Sequence, residues 1–251
     1  MRTSAIAAVL LVATAAAAAD LTIRQKTTTT GSRGTSARED MVYVTASAMV
    51  VDGEQDRTIV DVASRTITLA DKTEKTWFTV TTDQLRAQAD AVQAELKRHL
   101  SDMPPEARAM AEKMMGGAAA EATVTPTGKH ETIAGYDAAE YRVRAGALTG
   151  SVWASTQLPT PDGLAQWKEM SLGTSGPQGP GRGMAEAFAK IQGFPLRTTM
   201  TGGGPGAIAS TTEVLEVREA SPPAAVLSVP EGFRKVDPPT MGSSPPRKRT
   251  K

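Results

Sequence analysis

Residues 41–80 read MVYVTASAMVVDGEQDRTIVDVASRTITLADKTEKTWFTV, and this stretch decides the fold. Four runs rich in Val, Ile and Thr, Met41 to Val51, Arg57 to Val62, Arg65 to Ala70 and Lys75 to Val80, suit pleated strands. Their connectors include Asp52-Gly53, a hairpin signal, then Ala63-Ser64 and Asp71 to Glu74. Links this short force antiparallel neighbours, because a parallel crossover needs about ten residues or more. The expectation is a four-strand meander. Within its first run, Met41, Tyr43, Thr45, Ser47, Met49 and Val51 share one face, and Val42, Val44, Ala46, Ala48 and Val50 the other. Both faces are apolar enough to call for cover on both sides.

Working outward, Leu21 to Thr30 reads as a Thr-rich strand and Gly31 to Arg38 as a loop. Beyond the meander the period changes. Asp83 serves as an N-cap, and Leu85, Ala89, Val92, Leu96 and Leu100 form one helical stripe. Pro104-Pro105 ends that helix and opens a second, carrying Ala107, Met110, Ala111, Met114 and Met115 before Gly116-Gly117. Residues 83–118 are therefore expected to form an α-hairpin. Strands resume at 122–132, 137–145 and 149–155, with a turn at Ala134-Gly135. Short helices at 164–172 and 184–192 flank a Gly/Pro-rich loop at 173–183, and strands at 195–201 and 207–218 flank Gly202 to Gly206.

The ends are distinct from this body. Arg2, an apolar and small-residue run from Ala5 to Ala19, and an Ala-x-Ala exit before Asp20 describe a secretory signal peptide over 1–19. That run is shorter than the roughly 18–20 residues that span a bilayer. The mature protein is expected from near Ala19-Asp20, as one domain over 20–236, with a Pro-rich, basic, disordered tail at 237–251. The chain has no cysteine, which excludes a disulfide framework, a thiolate metal site, a cysteine nucleophile and a lipidated cysteine. A periplasmic or secreted location follows, without stable membrane insertion. Four basic residues crowd the last five positions, so the body from Asp20 to Pro246 carries a net charge of −4. With 4% aromatics, it offers neither a phosphate stripe nor a base-stacking platform, and nucleic acid is not an expected partner.

No constellation for catalysis or metal binding emerges. His99 and His130 stand apart and lack a ligand spacing. Asp52, Glu54, Asp56 and Asp61 cluster without the order or closing Glu of a calcium loop. Ser175 lacks a nucleophile elbow, Ser210 has no partner pattern, and the glycines at 202–206 are followed by neither Lys-Ser/Thr nor a helix. No enzyme activity, cofactor or metal is expected. The methionines point elsewhere. Met103, Met110, Met114 and Met115 lie within thirteen residues, and methionine is over-used at surfaces that accept varied apolar ligands. Ala107, Ala111 and Ala118 keep that face shallow, which suits a groove cover better than a core.

Several short stretches also carry a resemblance. Ile133-Ala134-Gly135-Tyr136 leads into Glu140-Tyr141-Arg142-Val143; Val152-Trp153-Ala154 and Gly193-Phe194-Pro195-Leu196 follow, and Ser228-Val229-Pro230-Glu231-Gly232-Phe233 closes the set. In this order, across residues 40–236, they resemble exported bacterial proteins of the DUF4412 type. The resemblance implies a fold similar to LolA-like periplasmic lipoprotein carriers, which hold acyl chains between a curved sheet and helices. No lipid-contacting residue of those carriers aligns with a position here. The loops at 173–183 and 202–206 depart from the pattern in length and glycine content.

The expected fold class is α+β, a curved antiparallel half-barrel sheet whose concave face is covered by the α-hairpin and short helices. The expected function is non-enzymatic binding of a lipid or other apolar ligand in the cell envelope. Met103, Met110, Met114, Met115 and Leu96 would meet that ligand from the lid, and Tyr43 and Met49 from the sheet. The alternative is a protein-interaction or scaffolding module with a self-filled core and no ligand.

Overall fold

The computed structural model describes residues 20–32, 34–108, 122–145, 148–158, 186–202 and 208–238. Among them, twelve strands form one open sheet. They are β1 (Leu21–Gly31), β2 (Gly34–Val44), β3 (Ala48–Asp52), β4 (Asp56–Asp61), β5 (Thr66–Asp71), β6 (Thr76–Thr81), β7 (Thr123–Ile133), β8 (Tyr136–Ala145), β9 (Leu148–Ser155), β10 (Phe194–Thr201), β11 (Ala209–Glu219) and β12 (Arg234–Lys235). The sheet order is β12-β6-β5-β4-β3-β2-β1-β11-β10-β9-β8-β7. Its pairs are antiparallel except β12 with β6, which run parallel. One 21-residue helix, α1 (Thr82–Asp102), leaves the end of β6. The described chain is mostly β.

From β4 to β6 the meander forms as read, and its turns show why. Asp61 accepts the Ser64 amide at 2.9 Å, and Asp71 accepts those of Thr73 and Glu74, both at 2.8 Å. Each turn then closes on a basic residue in the left-handed region, Arg65 (φ 54°) and Lys75 (φ 50°). Two links of the same build thus register β4 on β5 and β5 on β6. Ala134 and Gly135 both have positive φ, the geometry of the tight two-residue turn between β7 and β8.

Two boundaries differ from the sequence reading. Residues 41–51 are not one strand but two, divided at 45–47. Thr45 makes that turn itself: its hydroxyl accepts the amides of Ser47 (3.2 Å) and Ala48 (2.9 Å). The break reverses the side-chain parity, so Tyr43 pairs with Val50 and Val44 with Met49. Tyr43 and Met49 therefore lie on opposite faces of the sheet. The expected loop at 31–38 is also shorter, because β2 begins at Gly34 and pairs with β1 along its whole length. A hydroxyl contact of 3.0 Å between Thr30 and Thr35 ties the two strands near their tips.

The apolar residues collect in three clusters. The largest joins Leu21, Ile23, Val42, Val44, Met49 and Val60 to residues of the distant half of the sheet, among them Ala138, Phe194 and Leu196. A second sets Ala187 and Ile191, from the segment around a short helix at 186–190, against Val143, Val152 and Ala154. On the other face of the meander, Tyr43, Val50 and Ile59 make a third, with Val226 packed on it. Val226 lies in a 3-10 turn at Ala224–Leu227, within a strap that runs from β11 to β12.

The sequence reading also placed elements outside the described residues. These are the signal peptide at 1–19, the second hairpin helix beyond residue 108, the helix at 164–172, the loop at 173–183 and the tail from 239 onward.

Candidate functional site

The capping box that starts α1 is centred on Thr81, two residues before the Asp83 expected from sequence. The Thr81 hydroxyl accepts the Gln84 amide at 3.1 Å, and the Gln84 side chain accepts the Thr81 amide at 2.9 Å. Asp83 falls in the first turn, where a carboxylate suits the positive end of the helix. The Thr82 amide donates to Arg65 O at 3.0 Å, so the helix base is tied to the β4–β5 turn. At the far end, Pro104-Pro105 stops the helix as expected and residues 105–108 start another turn. Arg108 reaches back from there. Its guanidinium donates to the carbonyls of Leu100 and Ser101, both at 2.8 Å, and Met103 at 3.3 Å, satisfying acceptors that a helix terminus leaves open.

Between these fixed ends, α1 carries the expected apolar stripe, and the stripe is open. Leu85, Ala89 and Leu100 are half-buried, while Val92 is 50% exposed, Leu96 42% and Met103 38%. An amphipathic helix in a globular protein normally buries such a stripe. The polar side is satisfied locally, with Arg98 at 2.6 Å and His99 at 3.3 Å from Glu95. From Asp90 to His99 the described side chains of α1 are exposed all round, the stripe residues Val92 and Leu96 among them. The stripe begins beside Val80 and Ile67, which face each other on β6 and β5 at the margin of the sheet.

The other expected contact residues are placed differently. Tyr43 and Met49 are both core residues, 9% and 8% exposed, in separate clusters on opposite faces. They do not line one surface with Leu96 and Met103. Met110, Met114 and Met115 lie outside the described residues.

The remaining candidates have structural partners. Asp52 is held by Arg57 (Nε to Oδ1 2.8 Å, Nη2 to Oδ2 3.2 Å) and by Lys72 at 2.8 Å. Burial alone would raise the Asp52 carboxyl, but the hydrogen bonds and charges of Arg57 and Lys72 outweigh it and hold it below its ordinary value. His99 and His130 are both exposed, and His130 Nδ1 sits 2.9 Å from Asp137 across the β7–β8 hairpin. Ser210 is half-buried in β11, facing Thr29 and Met200. Ser175 falls outside the described residues. Among the described residues, no group of three or more His, Cys, Asp or Glu side chains is placed to hold a metal.

Among the described residues, the clefts that open on the surface include these two. One, about 340 Å³, has Met41 and Thr22 between Arg24, Arg218 and Glu216. The other, about 610 Å³, lies between Thr79, Gln84 and residues 234–238. Charged side chains border both, so neither is an acyl-lined tunnel. Among the described residues no helix is long and apolar enough to cross a membrane.

Sequence reasoning missed the strap. Arg57 Nη1 donates to Ala225 O (2.9 Å) and Ser228 O (3.1 Å), and Lys235 Nζ lies 5.1 Å from the Trp77 ring centroid. The available signals were Arg57 at an otherwise apolar strand position and the Ser228 to Phe233 motif, which the resemblance picked out without a structural role.

Comparison with known proteins gives one family and several structural likenesses. The profile of the family described as Domain of unknown function (DUF4412) matches residues 85–233, more than half of the chain. No curated protein matches the sequence. Among solved structures, PNGF-II in a P21 crystal form shares 10% identity at a TM-score of 0.41, with 88% of this chain and 32% of that chain covered. The chain thus spans about a third of the length of PNGF-II. A LolA superfamily protein from Nitrosomonas europaea shares 7% identity at a TM-score of 0.33, covering 84% of this chain and 90% of that one. An outer membrane lipoprotein-sorting protein domain from Vibrio parahaemolyticus shares 8% at 0.28, covering 80% and 85%. The family expected from the sequence is the one found.

Proposed function

Taking as premise that this chain belongs to the DUF4412 family, we propose that it is a non-enzymatic protein of the cell envelope that binds a lipid or other acyl chain. The observation that carries this reading is the open stripe on α1. Val92 and Leu96 on α1, with Met103 at its C-cap, expose apolar surface along a helix whose two ends are both fixed, by Thr81 and Gln84 at one and Arg108 at the other. A fixed helix with an uncovered apolar face is a surface prepared for an apolar occupant. Each of these side chains is already about half covered, so completing the cover is worth on the order of 1 kcal/mol per side chain, a contribution to holding an acyl chain that the rest of the surface must add to.

On this reading Leu96 and Met103 contact the ligand, and Met110, Met114 and Met115 continue the surface along the hairpin. The sheet curves beneath it, with α1 and its partner helix as a lid over the concave side. Tyr43 and Met49 support the sheet and do not touch the ligand. The signal peptide is removed near Ala19-Asp20, and the mature chain works in the periplasm or outside the cell.

A second reading is favoured by the completeness of the core. Leu21, Ala138 and Val152 have no exposed surface, so the sheet is filled by its own side chains where it is described. That suits an interaction or scaffolding module without a ligand. Native mass spectrometry of the protein secreted from cells and purified without detergent separates the two. The ligand reading expects adducts of lipid mass on a polypeptide starting at or near Asp20. A bare polypeptide across preparations would favour the scaffold.

A further inference from the structure

The strap is a thin cover over a deeply buried patch. From residue 219 to 238 no side chain is buried, yet beneath it Val50 is 0% exposed, Ile59 7% and Tyr43 9%. Few buried contacts and exposed backbone hydrogen bonds mark segments that open without global unfolding. The attachment has three parts. At its start, the Ala220 amide donates to Asp20 O (3.0 Å) and the Ser221 hydroxyl to Asp20 Oδ2 (2.8 Å). At its end, the Arg234 amide donates to Lys75 O (2.9 Å) and that of Val236 to Trp77 O (2.8 Å). In the middle, Val226 rests on the apolar patch and Arg57 grips the carbonyls of residues 225 and 228.

Arg57 joins the strap to the sheet in an unusual way. Its Nε and Nη2 are engaged by Asp52 on the neighbouring strand β3, which fixes the plane of the guanidinium. The remaining nitrogen, Nη1, then points to two main-chain carbonyls of the strap. The two bonds to Asp52 lie within the sheet, so the orientation of the guanidinium does not depend on the strap staying closed. The sheet thus carries a ready-made hook, and the strap supplies only two carbonyls and one valine to it.

We propose that residues 220–236 open and close as one unit on the face of β2–β6, with Arg57 as the latch, baring Tyr43, Val50 and Ile59 while the sheet stays folded. This device is independent of the apolar-ligand reading, because it lies at the Tyr43 face and uses none of the α1 stripe.

Amide hydrogen exchange on the full-length mature protein tests it. In the wild type, the amides of Ala220, Arg234 and Val236, which bond to residues outside the strap, should exchange at least tenfold faster than those of residues 48–52 and 56–60, and similarly to one another. Arg57→Gln should speed the strap amides a further tenfold or more and leave residues 48–52 and 56–60 unchanged. Val226→Ser, which leaves the latch intact, should speed the strap less than Arg57→Gln does. The proposal is overturned if strap and sheet amides exchange at one common rate in the wild type, a result that stands even where Arg57→Gln fails to fold. It is equally overturned if Arg57→Gln folds and the strap keeps its wild-type protection.

Discussion

Arg197 on β10 holds both carboxylate oxygens of Glu131 on β7, at 2.9 and 3.0 Å, although β9 and β8 lie between the two strands. At about 4.8 Å per strand the backbones stand roughly 14 Å apart along a flat sheet. Two long side chains must lie across the intervening strands to meet. Arg197 also takes Glu213 of β11 at 2.7 Å, so one guanidinium ties β7 to β11. These two carboxylates raise the Arg197 pKa, and Arg197 in turn holds Glu131 below its ordinary value of 4.5.

The pH dependence follows from that direction. A carboxyl depressed in the folded state adds stability above its unfolded pKa and loses it as pH falls through the folded one. Glu131→Gln should therefore lower the melting temperature at pH 7, by about 2 °C or less for so exposed a pair. The gap between variant and wild type should close as pH falls below 4.5. A gap that widens in acid would show that the pair does not act through its charge.

Asp52 is the more shielded case. Asp52→Asn leaves Arg57 and Lys72 without their shared carboxylate in a largely buried setting and should cost about 2 kcal/mol at pH 7. Its folded pKa is also depressed, so the contribution is present above the ordinary 3.8 and fades below it. Denaturant unfolding at pH 7 and in acid measures both statements. Equal stability of variant and wild type at pH 7 would refute them.

Gly150 marks a close approach of strands. A Cβ there would lie 1.9 Å from Thr199 O and 2.6 Å from the Met200 sulfur. The backbone atom cannot move aside without breaking the β9–β10 ladder. Gly150→Ala should cost about 3 kcal/mol and lower the melting temperature by roughly 10 °C. A shift under about 2 °C would mean that β9 and β10 separate more freely than their register implies.

The chain end separates two roles within a few residues. Truncation after Pro238 removes only the proline-rich basic tail and should leave the melting temperature within error. Truncation after Gly232 also removes β12 and the stacking of Lys235 on Trp77. It should lower the melting temperature by several degrees and uncover the β6 edge. Equal behaviour of the two truncations would argue against a structural role for β12.

The meander was legible because its signals are local. Asp61 and Asp71 build turns from their own side chains, the Gly53 amide closes the β3–β4 turn on Asp56 O, and alternation fixes the strands between them. Thr45-Ala46-Ser47 carries no Gly, Asn or Asp, and Thr favours strands, so its hydroxyl-made turn passed as strand. That one miss put Tyr43 and Met49 on a common face and so into a common site. The stripe of α1 was readable from its period, but period does not say what covers a stripe. The strap was hidden for a different reason. Its anchors, Arg57 and Trp77, lie more than 150 residues before the carbonyls and lysine they meet, and no sequence period links them.

The central claim is that the open face of α1 holds an acyl chain. Titration of the mature protein with a fluorescent long-chain fatty acid tests it most directly, beside a Leu96→Asp/Met103→Asp variant whose circular dichroism matches the wild type. A charge under a bound acyl chain would have to be desolvated without a partner, at a cost of several kcal/mol. The wild type should bind saturably, and the variant at least a hundredfold more weakly. No saturable binding by the wild type, or equal binding by both proteins, would contradict it.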